Sequence, residues 1–260
     1  MLFTIIMPNY NNARYLNRLF NSLKEQTCQD FRMIFVDDVS TDGSIEIANA
    51  WRYSFFNDRL TIVPLQEKRY NGGTRNVALK LLTVEDEYVM FIDTDDYFNG
   101  PECLATIKYI IEQNCKPDCV RLSYVWDAID EQRDVILNQK TPAELAADCN
   151  VACWTKCIKR ELLQPFPENT LMEDVIQHLK QVDCINTVVP CEVPIVRWNR
   201  SNPNSCSTNT TLQNSKWVSS FYRYYADLLD LQLEKSYTKE QRDIRIATAK
   251  ENMKNNIYAQ

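Results

Sequence analysis

The 260-residue chain reads as an α/β protein with a mostly parallel sheet flanked by helices and a helical carboxyl-terminal extension. Three observations predict this. Short apolar runs alternate with amphipathic stretches over residues 1–100, the pattern of successive βαβ units. The loops after the first, second and fourth runs carry Pro8-Asn9-Tyr10-Asn11, Asp37-Asp38 and Asp93-Thr94-Asp95, so parallel pairing gathers polar chemistry on one sheet edge. From Leu212 onward the alternation gives way to helical spacing.

The elements follow in order. Phe3 to Met7 is β-branched and apolar and predicts a first strand, stopped by Pro8. From Ala13 to Gln26, apolar residues at Tyr15, Leu16, Leu19, Phe20 and Leu23 predict an amphipathic helix. Phe31 to Val36 is a second strand. Ser40 to Ser44 is turn and cap chemistry opening a helix from Ile45 to Phe55. Leu60 to Val63 is the third strand, Gly72 to Leu82 a helix begun by a glycine pair, and Tyr88 to Ile92 the fourth strand. Beyond these, Pro101 to Gln113 predicts a helix and Cys119 to Trp126 a strand. Val151 to Leu163 reads as a loop running into a helix, Met172 to Val182 as a helix, and Val188 to Trp198 as extended. In the extension, Trp217, Phe221, Tyr224, Tyr225, Leu228 and Leu229 form an apolar stripe. It packs on the domain or meets a dimer partner or membrane surface, the latter two disfavoured by Asp227, Asp230 and Glu234.

Composition narrows the function. A net charge of -6 and a pI near 5.0 argue against a broad grip on duplex nucleic acid. No basic segment or cleavage site accompanies the apolar stretch Met1 to Met7, and no run is long enough to span a membrane. Ten cysteines without a secretory signal read as reduced thiols, which implies a cytoplasmic protein. Cys149, Cys153 and Cys157 share one face if their segment is helical. Their spacing matches neither zinc pairs nor the usual iron–sulfur runs, so they read as packing residues. The lone histidine, His178, excludes an imidazole metal cage.

The acidic strand end is the most telling motif. Asp93 and Asp95, one residue apart and followed by Asp96, repel one another unless a cation lies between them. Mg²⁺ suits such a place, because it keeps few protein ligands and takes the rest from substrate phosphates. Taken alone, the cluster is equally readable as a solvated acidic turn.

Read together, the motifs resemble the inverting GT-A glycosyltransferases of family 2. The similarity rests on Pro8-Asn9-Tyr10-Asn11, on Val36-Asp37-Asp38-Val39-Ser40-Thr41-Asp42-Gly43-Ser44, and on Gly72-Gly73-Thr74-Arg75-Asn76. It continues through Phe91-Ile92-Asp93-Thr94-Asp95-Asp96, Trp154-Thr155-Lys156, Glu173-Asp174 and Arg197 to Ser205, in order over residues 3–207. Val39 stands where glycine is usual, Thr74 where alanine is, and Thr155 where asparagine is.

The resemblance implies a GT-A, Rossmann-like domain over 1–207, with a nucleotide-binding half at 1–100, an acceptor half at 101–207, and an extension at 208–260. It implies sugar transfer from a nucleoside diphosphate donor, UDP-linked, to an acceptor hydroxyl with inversion, assisted by Mn²⁺ or Mg²⁺. Pro8, Tyr10, Asn11, Asp38, Arg75, Asp93 and Thr94 are the implied donor contacts, and Asp95 the metal ligand. Asp174 is the implied general base. Trp154, Lys156, Glu173, Arg197 and Arg200 are implied at the acceptor or diphosphate.

The residues allow other readings. Tyr10 is otherwise a loop aromatic, and Asp38 and Asp174 are otherwise plain helix caps. Arg75 either binds phosphate or holds Asp93 in place. Adjacent helical residues diverge by about 100°, so Glu173 and Asp174 are expected to serve different roles. A nucleotidyltransferase on a related platform and a degenerate sugar-binding module are the rival functions. A NAD enzyme is disfavoured, because no G-x-G-x-x-G follows the first strand. A homodimer through the carboxyl-terminal helices is a further expectation, while the sugar, the acceptor and the linkage stay open.

Overall fold

The computed structural model describes residues 1–148, 150–168 and 173–205. Cys149, Met172 and the extension from 208 onward, with its apolar stripe and the expected dimer contact, lie outside the described residues. Four parallel strands form the first half of the sheet: β1 (Phe3–Asn9), β2 (Phe31–Asp37), β3 (Leu60–Pro64) and β4 (Tyr88–Phe91), in the order β3-β2-β1-β4. β1 and β4 are buried throughout, as parallel strands covered on both faces are. Between them run α1 (Ala13–Lys24), α2 (Ser44–Trp51) and α3 (Tyr70–Leu79). Leu16, Leu19, Phe20 and Leu23 of α1 are all fully buried, and Phe20 packs on Phe35, Trp51 and Phe56.

The first strand does not stop at Pro8. Its pairing with β4 ends at Ile6, so Pro8 lies where that side of the strand has no neighbour and a missing N–H costs no ladder bond. α2 gives way at Arg52 to a wider π turn reaching Phe56. α3 starts two residues before the glycine pair, so Gly72 and Gly73 lie buried in its first turn.

The second half joins through antiparallel strands. After β5 (Tyr97–Phe98) and α4 (Cys103–Gln113) come β6 (Cys119–Asp127), β7 (Gln132–Val135) and α5 (Pro142–Ala147). Then follow β8 (Lys156–Lys159), α6 (Glu173–Val182) and β9 (Val188–Asn199). β8 inserts between β4 and β6, antiparallel to both, and β9 runs parallel to β6, completing the order β4-β8-β6-β9-β5.

This corrects the helix expected within Val151 to Leu163, which is two 3₁₀ turns around a strand. Cys153 lies in the first turn and Cys157 in β8, so no helix face aligns them; both are buried. Reversal of β8 brings its beginning, beside Trp154 and Thr155, to the edge where β4 ends. The carboxyl ends of β6 and β9 reach that same edge. β5, β7 and α5 are elements that apolar periodicity does not reveal, although α5 has a capping box between Thr141 and Glu144.

Candidate active site

The loop after β1 is braced against the loop after β2. Asn9 donates to Asp37 (2.7 Å) and Ser40 (3.1 Å), and the Asn11 side chain accepts from the Thr41 amide at 2.8 Å. Thr94 is wholly buried: its hydroxyl accepts from Asn12 and donates to the Pro8 carbonyl, so it supports the loop from below. Pro8, Asn11 and Thr94 thus brace the loops at this sheet edge. Tyr10 is 48% exposed at the rim, with the Lys68 ammonium over its ring.

Asp38 is buried, and its two oxygens accept the backbone amides of Arg69 (2.6 Å) and Tyr70 (2.9 Å). That caps the start of α3, with Lys68 at 3.6 Å. Val39 follows at φ 64°, in the left-handed region where a β-branched residue is strained, which explains a glycine preference at this position.

Arg75 is the hub. Buried on α3, it donates through Nη2 to Asp93 at 2.7 Å and through Nη1 to Glu173, forming ion pairs with both. Burial opposes its charge, but Cys153 and the acids Asp93, Glu173 and Asp174 around it push its pKa up. Glu173 is pushed up to about 7 by burial, against the pull of Arg75 and with the help of Asp174. Asp174, half-buried in the first turn of α6, is also raised by burial, with Arg75 and Lys156 holding it back. Its Oδ1 accepts the Val175 amide at 3.0 Å. Glu173 thus turns to Arg75 while Asp174 makes a different contact.

The carboxylates at the end of β4 are crowded. Burial and Asp93 push Asp95 up to about 6, although Asn202 donates to its Oδ2 at 2.7 Å. Burial, Asp95 and Asp93 raise Asp96, which accepts the Asn199 amide at 2.8 Å and leaves Oδ2 buried without a hydrogen-bond partner. Hard oxygen donors, mutual repulsion and an orphaned buried oxygen fit Mg²⁺ or Mn²⁺. Among the described residues no three His, Cys, Asp or Glu side chains are placed to enclose an ion, so an ion held here would take most of its ligands from elsewhere.

Three other expected contacts are occupied otherwise. The Lys156 ammonium is buried and donates to the carbonyls of Val151 (2.9 Å) and Ala152 (2.8 Å), so it is spent on the loop before β8 rather than turned to a diphosphate. Burial, then Arg121, pushes its pKa down to about 7. Trp154 is buried edge-on against Tyr124 at 4.9 Å and offers no open face to a sugar. Arg197 is held by Asn99 (2.7 Å) and Gln132 (3.3 Å), with Asp127 at 3.9 Å. Arg200 lies over the rings of Trp126 and Trp198 and within electrostatic reach of Asp96 and Asp95. Asn202, Asn199 and Arg18, whose Nη2 donates to the Asp95 carbonyl at 2.9 Å, are site residues that sequence reasoning missed. Polar residues in a loop carry no periodic signal that could have marked them.

No helix among the described residues is long and apolar enough to cross a membrane.

Comparison with known proteins bears on the family and the fold. The family model described as glycosyl transferase family 2 matches residues 4–150. A poly(ribitol-phosphate) beta-N-acetylglucosaminyltransferase, TarS of Staphylococcus aureus, is 38% identical over 119 residues, 44% of this chain and 20% of that protein. The putative teichuronic acid biosynthesis glycosyltransferase TuaG of Bacillus subtilis is 31% identical over 114 residues, 44% of each chain. The chain therefore spans less than half the length of these relatives. Among solved structures, S. aureus TarS 1-349 in complex with UDP-GlcNAc superposes with a TM-score of 0.76 at 23% identity, covering 94% of this chain and 70% of that one. The mannosyltransferase PcManGT from Pyrobaculum calidifontis, in complex with GDP-Man and Mn²⁺, gives 0.63 at 18% identity, covering 95% and 68%. At these identities the structural likeness establishes the GT-A fold.

Proposed function

The chain belongs to glycosyl transferase family 2, and from that premise we propose that it moves one sugar from a UDP-linked donor to an acceptor hydroxyl with inversion. The observation that carries the reading is Arg75, which ties Asp93 at the end of β4 to Glu173, the neighbour of Asp174 on α6. One buried cation thereby sets the donor side against the acceptor side.

Tyr10 supplies a ring at the rim for the base, beside the Asp38-capped start of α3. Asp93 has one oxygen on Arg75 and the other available to the ribose. Asp95, with Asp96 behind it, would hold Mn²⁺ or Mg²⁺. Such an ion, when bound, neutralises charge on the departing diphosphate. Asp174 takes the proton from the attacking hydroxyl, and its raised pKa brings it closer to the range where a general base works best. Glu173, Asn202 and Arg18 hold the acids in place.

The test is donor turnover across UDP-, GDP- and dTDP-sugars, with and without Mn²⁺. We expect release of UDP that needs the metal. The Asp174→Asn variant should bind UDP-sugar as tightly as the parent and transfer nothing; full transfer by that variant rejects the assignment of the base. Release of sugar 1-phosphate in place of UDP, or of inorganic pyrophosphate when UTP and a sugar 1-phosphate are supplied instead, would point to nucleotidyl transfer.

A further inference from the structure

Lys156 is a buried charge that the donor chemistry leaves unused. It is the first residue of β8, 1% exposed, and lies directly opposite Arg121 of β6, which is fully buried. Like charges opposed across a strand pair repel. Arg121 has Asp148 as an ion-pair partner, whereas both Lys156 hydrogen bonds go to neutral carbonyls. A methionine would fill the same space without the cost of burying an ammonium.

What the ammonium holds is a turn. The Ala152 carbonyl accepts Lys156 Nζ at 2.8 Å, the Thr155 hydroxyl at 2.6 Å and the Thr155 amide at 3.2 Å. Three donors thus converge on the oxygen that closes the 3₁₀ turn Cys153–Thr155. Val151, just before it, gives its carbonyl to the same ammonium at 2.9 Å. Arg121 fixes the flanks, donating to the carbonyls of Asn150 (2.6 Å) and Thr155 (3.1 Å). The turn is thereby tied at both ends to β6 and β8.

That turn stands between the two sides of the site. It packs against β4, whose end carries Asp93, against β6, and against α6, which begins Glu173-Asp174. Cys153 within it is buried and feels the charges of Arg75, Asp93 and Asp174. Around Lys156 are Arg121 and Cys119 of β6, Cys153 of the turn and Asp174 of α6. Burial raises the pKa of Asp174 and Asp93 adds to this, while Arg75 of α3 and then Lys156 hold it back. Close-packed interiors transmit displacement, so a turn freed from its cation lets α6 shift and carries Asp174 away from its place opposite Asp93.

We infer that Lys156 is a positioning residue for the transfer step: its ammonium pins the Cys153–Thr155 turn against α6 and thereby holds Asp174 in place relative to the donor. The inference rests on the sugar-transfer reading, which makes Asp174 the base.

The experiment compares the parent with Lys156→Met and Lys156→Gln at saturating Mn²⁺ and UDP-sugar. UDP affinity, by calorimetry, and the melting temperature are read on the same samples. In Lys156→Met, UDP should bind as in the parent, while kcat for UDP release falls at least about tenfold. The acid limb of its kcat–pH profile should also move to higher pH, because a cation that favoured ionised Asp174 is gone. Lys156→Gln keeps an amide donor for a carbonyl but no charge. It should show the same shift with a smaller fall in kcat, and it carries the test if the methionine variant does not fold. Unchanged kcat, a fall in kcat with an unmoved limb, or a fall that accompanies lost UDP binding overturns the inference and leaves the transfer reading standing. If the parent itself neither binds UDP nor turns over UDP-sugars, the transfer reading falls and takes this role with it.

Discussion

Replacing Gly72 with alanine sets two effects of opposite sign against each other. In a helix, glycine to alanine ordinarily stabilises by about 1 kcal/mol, because alanine loses less backbone entropy. At this position, however, an added Cβ would lie 2.2 Å from the Pro167 carbonyl oxygen and 3.3 Å from both Cβ and Cγ of Glu173. A relaxed carbon–oxygen contact is about 3.3 Å, so α3 and the segment around Pro167 must part by about 1 Å. The obstacle is backbone and cannot rotate aside. Overpacking of this kind costs about 1–3 kcal/mol. The clash therefore outweighs the propensity gain, and the melting temperature should fall by about 2–4 °C per kcal/mol of net loss.

The consequence for activity is larger. Arg75 lies one helical turn from Gly72 and pairs with Glu173, so separating α3 from α6 moves Asp174 relative to Asp93. A misplacement of about 1 Å can cost about a hundredfold in rate. We expect kcat for sugar transfer to drop by about that factor while UDP affinity, set largely by the loops after β1, β2 and β4, changes little. Differential scanning calorimetry and steady-state kinetics on the same preparation decide it. A Gly72→Ala protein that melts higher than the parent, or turns over normally, refutes the close-approach argument.

Three further outcomes follow from named contacts. Val39→Gly relieves a left-handed φ at a β-branched residue, strain worth about 1–3 kcal/mol against an entropic cost of about 0.5–1 kcal/mol. Its melting temperature should rise, and a fall would show that Val39 is not strained. Arg75→Met leaves Glu173 buried with Asp93 and Asp174 close by and no guanidinium among them, and should cost about 3–5 kcal/mol in urea unfolding, partly recovered by adding Glu173→Gln. No recovery in the double variant would argue against the ion pair.

Lys156 titrates in the fold at about 7 rather than 10.5, so between these values the unfolded chain binds more protons. Its contribution is therefore unfavourable at and below neutral pH and is relieved as pH rises toward 10.5. Buried thiols such as Cys119 and Cys153, pushed up to about 11 and about 12, contribute in the opposite sense above their ordinary pKa. The difference between parent and Lys156→Met unfolding free energies isolates the lysine. The parent should gain on the variant from pH 7 to 10, and a flat difference would mean the ammonium is not destabilised by burial.

From sequence alone, the alternation of strands and helices to β4 and the carboxylates at its end were legible. Both are written locally: apolar period reports burial of a segment, and a strand's last residues must reach the sheet rim. The placing of β8 between β4 and β6 was not legible. Lys156-Cys157-Ile158-Lys159 has no distinctive period, and its pairing is a choice among distant partners. Tertiary packing also decided that the Lys156 ammonium serves two carbonyls, that Trp154 is walled in, and that Arg75 joins Glu173, 98 positions away, to Asp93. A charged side chain's type states what it can bind. Which partner it meets depends on where the backbone carries it, and that is settled by long-range burial.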